Sequence, residues 1–391
     1  MEIGESAKVA VAKSAKKTTW SFRAEIVELS FKSKIKVLRA RTLVSAPHWK
    51  KGADPKDVWT EAKAMELPED AGYSKAPAAL LVRHAPGTTQ DVIKLKINIS
   101  ESKNVSGQAQ IIGRLGSLEF TGQCPVSAGE HSVDIKIKEL PEETQWVRGG
   151  IAWGIQVPDP DVSIVLGTTQ VEMFFLLDTP PAPFAQGVWA EALRFLGAKA
   201  GVMNQKTAAL VASKVASYCH TPHDLTYDTK EGAPRYGNLL RGGWSLGFRL
   251  TDYMKRADPE CCCYDQASAV QTFCAAMGVS AEWNYMEPFG FIKEVNLVGV
   301  GLCNNPFFRS NGTDKLISRR DPRRTGFGNH AFCKLEGKVL DACAGPEVGT
   351  RDLEGYLKKC IDYDPALNAI HGRRPGLPHD AKPRPPVPVL T

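Results

Sequence analysis

The hydrophobic period of this chain changes once, and the change falls at a proline-rich break. Ahead of it, DVIKLKINIS (91–100), HSVDIKIKEL (131–140) and the stretch from Trp20 to Leu43 alternate apolar and polar residues. That is the spacing of a half-buried strand. AALLVRH, AQIIGRL, GIAWGIQV and VEMFFLLD are further β-rich runs bounded by Gly, Pro, Asp or Ser. DTPPAPFAQG (178–187) then brings three prolines, which offer no ladder N–H and end the strand pattern. Beyond it, VWAEALRFLGAKAGV and NQKTAALVASKVASYCH read as helices, with Ala209, Val211, Val215 and Tyr218 near one face of the second.

At 391 residues the chain is too long for one ordinary domain, since about 150 residues per domain is a fair prior. The period change supplies the division. We expect a basic N-terminal arm at 1–19, a β domain at 20–177, a linker at 178–187, an α+β domain at 188–363 and an extended Pro-rich tail at 364–391. Short antiparallel strands with regular punctuation suit a sandwich or a barrel, and we expect a β-sandwich.

Charge and cysteine are both unevenly distributed. Residues 1–60 hold 13 Lys/Arg against 6 Asp/Glu, leaving 36 against 37 in the remaining 331. The net charge of +6 is therefore an N-terminal property. With few interleaved aromatics it reads as a solvated strand face, and nucleic-acid binding is not expected. One of the ten cysteines, Cys124, lies in the first half, and nine fall between Cys219 and Cys360. Disulfide scaffolds are short, secreted and dense in cysteine, so reduced thiols are expected here. No run has the roughly 18 apolar residues of a membrane helix, and the first residues lack a signal-peptide core. A cytoplasmic protein is the default expectation, and export without a signal peptide is compatible with it.

Two segments carry chemistry. In ECCCYDQASAVQTFCAAMGVSAEW (260–283), Ala267, Val270, Cys274 and Met277 follow Cys263 at steps of three and four, and Gly278 is a natural stop. Cys263 thus opens a buried helix. There the helix dipole and unpaired N–H groups favour thiolate, the reactive form. In GNHAFCKLEGKVLDACAG (328–345), Glu336-Gly337 reads as a two-residue hairpin turn. Leu335 then faces Lys338 and Phe332 faces Asp341. His330 and Asp341 become diagonal neighbours, roughly 7–8 Å apart at the backbone. A carboxylate beside an imidazole orients it as the base for a nucleophile. Spacing favours Cys263 as that nucleophile over Cys262 and Cys261.

Cys263-Tyr-Asp-Gln-Ala267, Met277-Gly278-Val279, Asn329-His330-Ala331-Phe332 and Val339-Leu340-Asp341 together resemble the transglutaminase-like branch of the papain-like cysteine enzymes. The resemblance covers roughly residues 240–345. It implies a papain-like α+β fold in which Cys263 is the nucleophile, His330 the general base and acid, and Asp341 the orienting residue. It also implies a thioester passed to water or to an amine. The sequence departs from the family in its short His-to-Asp interval, in a Cys before the nucleophile and in Phe332 where Trp is usual. The backbone N–H of Cys263 is an oxyanion donor candidate, and Trp244, Gln266 and Asn329 are side-chain candidates.

The expected activity is cysteine-dependent hydrolysis or acyl transfer at an amide of a protein or peptide: proteolysis, glutamine deamidation or transglutamination. No cofactor is expected. A zinc site from Cys219, His220, His223, the Cys261–Cys263 triplet and Cys303 is the weaker alternative, because adjacent cysteines poorly match structural zinc spacing. An exported effector with a β recognition module, and a non-enzymatic interaction module on a degenerate fold, are the other two readings. Oligomeric state is not legible.

Overall fold

The computed structural model describes residues 19–32, 37–39, 42–43, 48–51, 78–82, 90–158, 161–240, 244–286, 290–308, 314–362 and 382–390. The basic arm, apart from Thr19, and residues 364–381 of the tail lie outside the described residues. The chain divides into two compact units, Met1–Leu176 and Leu177–Thr391.

Among the described residues, the first unit is built on one sheet of nine strands: β1 Ser21–Phe31, β2 His48–Lys50, β3 Ala78–Val82, β4 Gln90–Lys103, β5 Gln108–Leu115, β6 Leu118–Pro125, β7 Gly129–Ile137, β8 Gln145–Pro158 and β9 Asp161–Leu176. Their order across the sheet is β2-β1-β4-β7-β6-β5-β8-β9-β3. Neighbours are antiparallel except β9 with β3, which run parallel. The alternation seen in the sequence is the cause. On β4, Ile93, Leu95, Ile97 and Ile99 are buried. On β7, Val133, Ile135 and Ile137 lie on the same side, Ile93 pairing with Ile135 and Leu95 with Val133. Each such side chain contributes about 1.5–3 kcal/mol on full burial.

The expected antiparallel unit is present, but the described strands do not form the two packed layers of a sandwich. Nine of them form a single sheet that curls until β1 approaches β9, close to a barrel, and the short strands Val37–Arg39 and Thr42–Leu43 pair outside it. A period of two states which face of a strand is buried. It does not state whether that face meets a second sheet or its own sheet folded round.

The second unit mixes helices with a five-stranded antiparallel sheet. Helix α1 spans Ala208–His220, α2 Cys263–Ala276 and α3 Leu353–Cys360. The strands are β10 Glu282–Met286, β11 His330–Leu335, β12 Lys338–Asp341, β13 Glu347–Asp352 and β14 Lys382–Arg384, in the order β13-β12-β11-β10-β14. Helix α2 lies against β11, and the Cys333 thiol donates to the Ala267 carbonyl at 3.1 Å. All fourteen residues of α2 are buried, so the apolar stripe read from the sequence understates its enclosure. On α1 the buried set is Val211, Ala212, Val215, Ala216, Tyr218, Cys219 and His220, while Ala209 is exposed. Three of the four residues of the inferred face, Val211, Val215 and Tyr218, are thus buried, and Ala209 is not.

The proline-rich segment is not a free linker. Leu177 N–H donates to the Met277 carbonyl at 3.1 Å, and Phe184 is buried. Gly278 ends α2 at φ +79°, and a Cβ there would sit 2.1 Å from the Asp178 carbonyl oxygen. The segment is laid directly across the end of the helix. The described tail is likewise packed. Strand β14 joins the edge of β10, Val387 N–H donates to Gln271 Oε1 at 2.9 Å, and Val389–Leu390 runs parallel to Phe248–Arg249. Proline removes donors but leaves the extended shape, which serves at a sheet edge.

Candidate active site

Two elements deliver the reactive groups. The turn Glu336-Gly337 has φ +50° and +78°, the type I′ geometry that matches strand twist. It sets Leu335 opposite Lys338 and Cys333 opposite Leu340. At the far end of this hairpin His330 Nε2 and Asp341 Oδ2 are 2.8 Å apart. The other element is the start of α2. Cys262 is the cap residue in extended conformation, and Cys263 is the first helical residue.

The helix start is held by Asp265. Its carboxylate accepts from Cys262 N–H at 3.0 Å and from the N–H groups of Arg235, Tyr236 and Gly237 at 2.8, 2.9 and 3.0 Å. Burial raises the carboxyl to about 6, against the opposing pull of these four donors. Asp265 therefore fixes both Cys262, the residue before Cys263, and the loop at 235–237. The Cys262-x-x-Asp265 spacing of a capping arrangement was the available sequence signal.

Asp341 is saturated with donors. Oδ2 takes His330 Nε2 and, at 2.7 Å, the Tyr356 hydroxyl; Oδ1 takes the N–H groups of Cys343 at 2.8 Å and Ala344 at 3.1 Å. Burial pushes the carboxyl up, but His330, Tyr356 and the Cys343 N–H together bring it below the ordinary value. A buried carboxylate with this many donors stays ionised. Tyr356 and Cys343 had no sequence signal, because their role exists only in the folded chain.

Cys263 and His330 are near enough for each to shift the other's ionisation. The thiol is brought down to about 5, chiefly by the hydrogen bond from Cys262 and against burial, with further help from His330 and the Ala331 N–H. Burial would lower His330, but Asp341 and then Cys263 override it and raise the ring to about 10. These directions, the thiol down, the imidazole up and the carboxyl down, favour thiolate, imidazolium and carboxylate as neighbouring forms. Burial lifts Cys261, Cys262, Cys333 and Cys343 well above an ordinary thiol. Within the triplet, Cys263 is thus the sulfur whose thiolate is favoured, with Cys262 as its donor.

All ten cysteines are free of disulfides and buried. Cys263 is 3% exposed and His330 fully buried. Phe327 lies 6.1 Å from the His330 ring and packs edge-on against Tyr227 at 5.8 Å. Tyr264 packs on Trp283 and Tyr285 at 5.8 and 6.3 Å.

The oxyanion candidates separate. Gln266 is occupied in the core: Nε2 donates to the Cys219 carbonyl at 3.2 Å and to Cys261 Sγ at 3.3 Å, and Oε1 accepts from Tyr253. Both Nε2 hydrogens are thus engaged, which removes it as a donor. Asn329 is beside the site. Its Oδ1 accepts from the Tyr264 hydroxyl at 2.8 Å, which turns the amide so that its NH2 is the remaining donor. Trp244 begins the strand Trp244–Arg249; its side chain lies outside the described residues. The first-turn N–H groups of Cys263 and Tyr264 have no acceptor within the helix, as at any helix start.

The histidines of the alternative zinc reading are held by other groups. His220 sits between Thr221 Oγ1 at 2.8 Å and the Asn296 carbonyl at 3.1 Å, and His223 Nε2 meets the Tyr253 carbonyl at 2.8 Å. Among the described residues, no helix is long and apolar enough to cross a membrane. No family model and no curated protein matches the chain.

Proposed function

We propose that the second unit is a cysteine-dependent amide hydrolase or acyltransferase of transglutaminase-like, papain-like type, acting on a protein or peptide. The observation that carries this reading is the row itself: Cys263 at the first residue of a helix, its ionisation coupled to that of His330, whose Nε2 lies 2.8 Å from Asp341 Oδ2. The thiolate attacks the amide carbonyl carbon, and the C–O electron pair moves to oxygen. Helix-start N–H groups and Asn329 are the donors available to that oxyanion. Collapse breaks the C–N bond as the His330 imidazolium gives its proton to the leaving nitrogen. A thioester on Cys263 and a neutral imidazole remain. The imidazole then takes a proton from water or an amine, which attacks the thioester and releases acid or new amide together with the restored thiolate. Water is the default acceptor.

Intact-mass analysis of candidate protein substrates tests this, with Cys263→Ala and His330→Ala as controls. Chain fragments identify a protease, the mass change of amide-to-acid exchange a deamidase, and an added amine a transferase. Each must vanish in both variants. A modification that persists in Cys263→Ala contradicts the reading.

A further inference from the structure

The residue that holds Asp341 from behind is Tyr356, and it also reaches the imidazole by a second route. Its hydroxyl donates to Asp341 Oδ2 at 2.7 Å, the same oxygen that faces His330 Nε2. Its ring packs on Phe332 at 5.5 Å, and Phe332 in turn stacks on the His330 ring at 5.9 Å and 28°. Tyr356 is fully buried. It stands on α3, whose start is capped by Asp352 Oδ1 accepting from Gly355 N–H at 2.9 Å. Tyr356, Leu357 and Cys360 are the buried residues of that helix. A capped helix thus presents one donor to the acid and one ring face, through Phe332, to the base.

We propose that Tyr356 is a positioning residue of this site: its hydroxyl and its ring together fix the Asp341 carboxylate in line with the His330 imidazole. The proposal rests on reading Cys263, His330 and Asp341 as an amide-cleaving row. The Cys343 and Ala344 N–H groups hold Oδ1 alone. Without the hydroxyl, Oδ2 keeps His330 Nε2 as its one partner among these groups, and the carboxylate can turn about the Oδ1 anchor and carry that pair out of line. A buried carboxylate has no water to replace the lost donor.

Alkylation of Cys263 by iodoacetamide, followed against pH by peptide mass spectrometry, reads both ionisations. The rate rises once where thiolate forms beside the imidazolium and again where the imidazolium loses its proton, near 10 in the wild-type chain. In Tyr356→Phe, which retains the ring, the second rise moves to lower pH by about half a unit or more. A purely structural loss lowers the melting temperature and leaves that position unmoved. A profile superimposed on wild type, or shifted to higher pH, overturns the proposal. 3-Fluorotyrosine at position 356 keeps both ring and hydroxyl and leaves the second rise in place; displacement as large as in the Phe variant overturns the proposal as well. If the wild-type chain shows no fast, His330-dependent alkylation, the reading of the site fails and takes the proposal with it. A normal wild-type profile that Tyr356→Phe does not change removes the proposal alone.

Discussion

His330 and Asp341 stand at the two ends of one hairpin, eleven residues apart, and their side chains close to 2.8 Å in a fully enclosed setting. Enclosure makes the pair sensitive to charge. Burial alone favours neutral imidazole, and the Asp341 carboxylate reverses that preference. Asp341→Asn keeps the shape and removes the charge, so the His330 ring falls by about two units or more toward neutrality. NMR titration of the imidazole carbons checks this.

Stability follows from the same shifts with definite signs. Cys263 is lowered when folded, so its contribution is full above its unfolded value and lost as pH falls through about 5. His330 is raised when folded, so its contribution is full below its unfolded value and lost as pH rises through about 10. With unfolded values near about 8.5 for Cys and 6.5 for His, the combined contribution climbs from about pH 5, is level from about 6.5 to 8.5 and declines toward 10. The difference in melting temperature between the wild-type chain and a Cys263→Ser/His330→Gln double variant, measured across that range, traces this plateau.

Gly278 is required twice over, by its φ of +79° and by the Asp178 carbonyl 2.1 Å from where a Cβ would stand. Gly278→Ala forces the proline-rich segment off the end of α2, at a cost of about 2–4 kcal/mol. Chemical denaturation measures it. Gly116, which has nothing within 4 Å of its Cβ position, is the control and loses less.

What could be read in the sequence was local. The Glu336-Gly337 turn, the helix opening at Cys263 and its stop at Gly278 each depend on a few neighbouring residues, and each lies where expected. What was missed depends on distant partners. Residues 178–187 looked like a tether because nothing local reveals that Leu177 meets Met277. The described tail looked unpacked because an edge strand rich in proline has no period to detect. Gln266 looked like a free amide until Cys219, Cys261 and Tyr253 took all its hydrogen-bonding groups. Tyr356 was invisible for the same reason. The curl of the first sheet was hidden too, because alternation defines a face and not its closure.

The central claim is that Cys263 is held as a thiolate by the Cys262 hydrogen bond together with His330. Brief iodoacetamide treatment near pH 6, with all ten cysteines mapped by mass spectrometry, tests it most directly. The account predicts that Cys263 is labelled at least about tenfold faster than any other thiol and that His330→Ala abolishes the preference. Uniform labelling of all thiols, or a preference for Cys263 that survives His330→Ala, contradicts it.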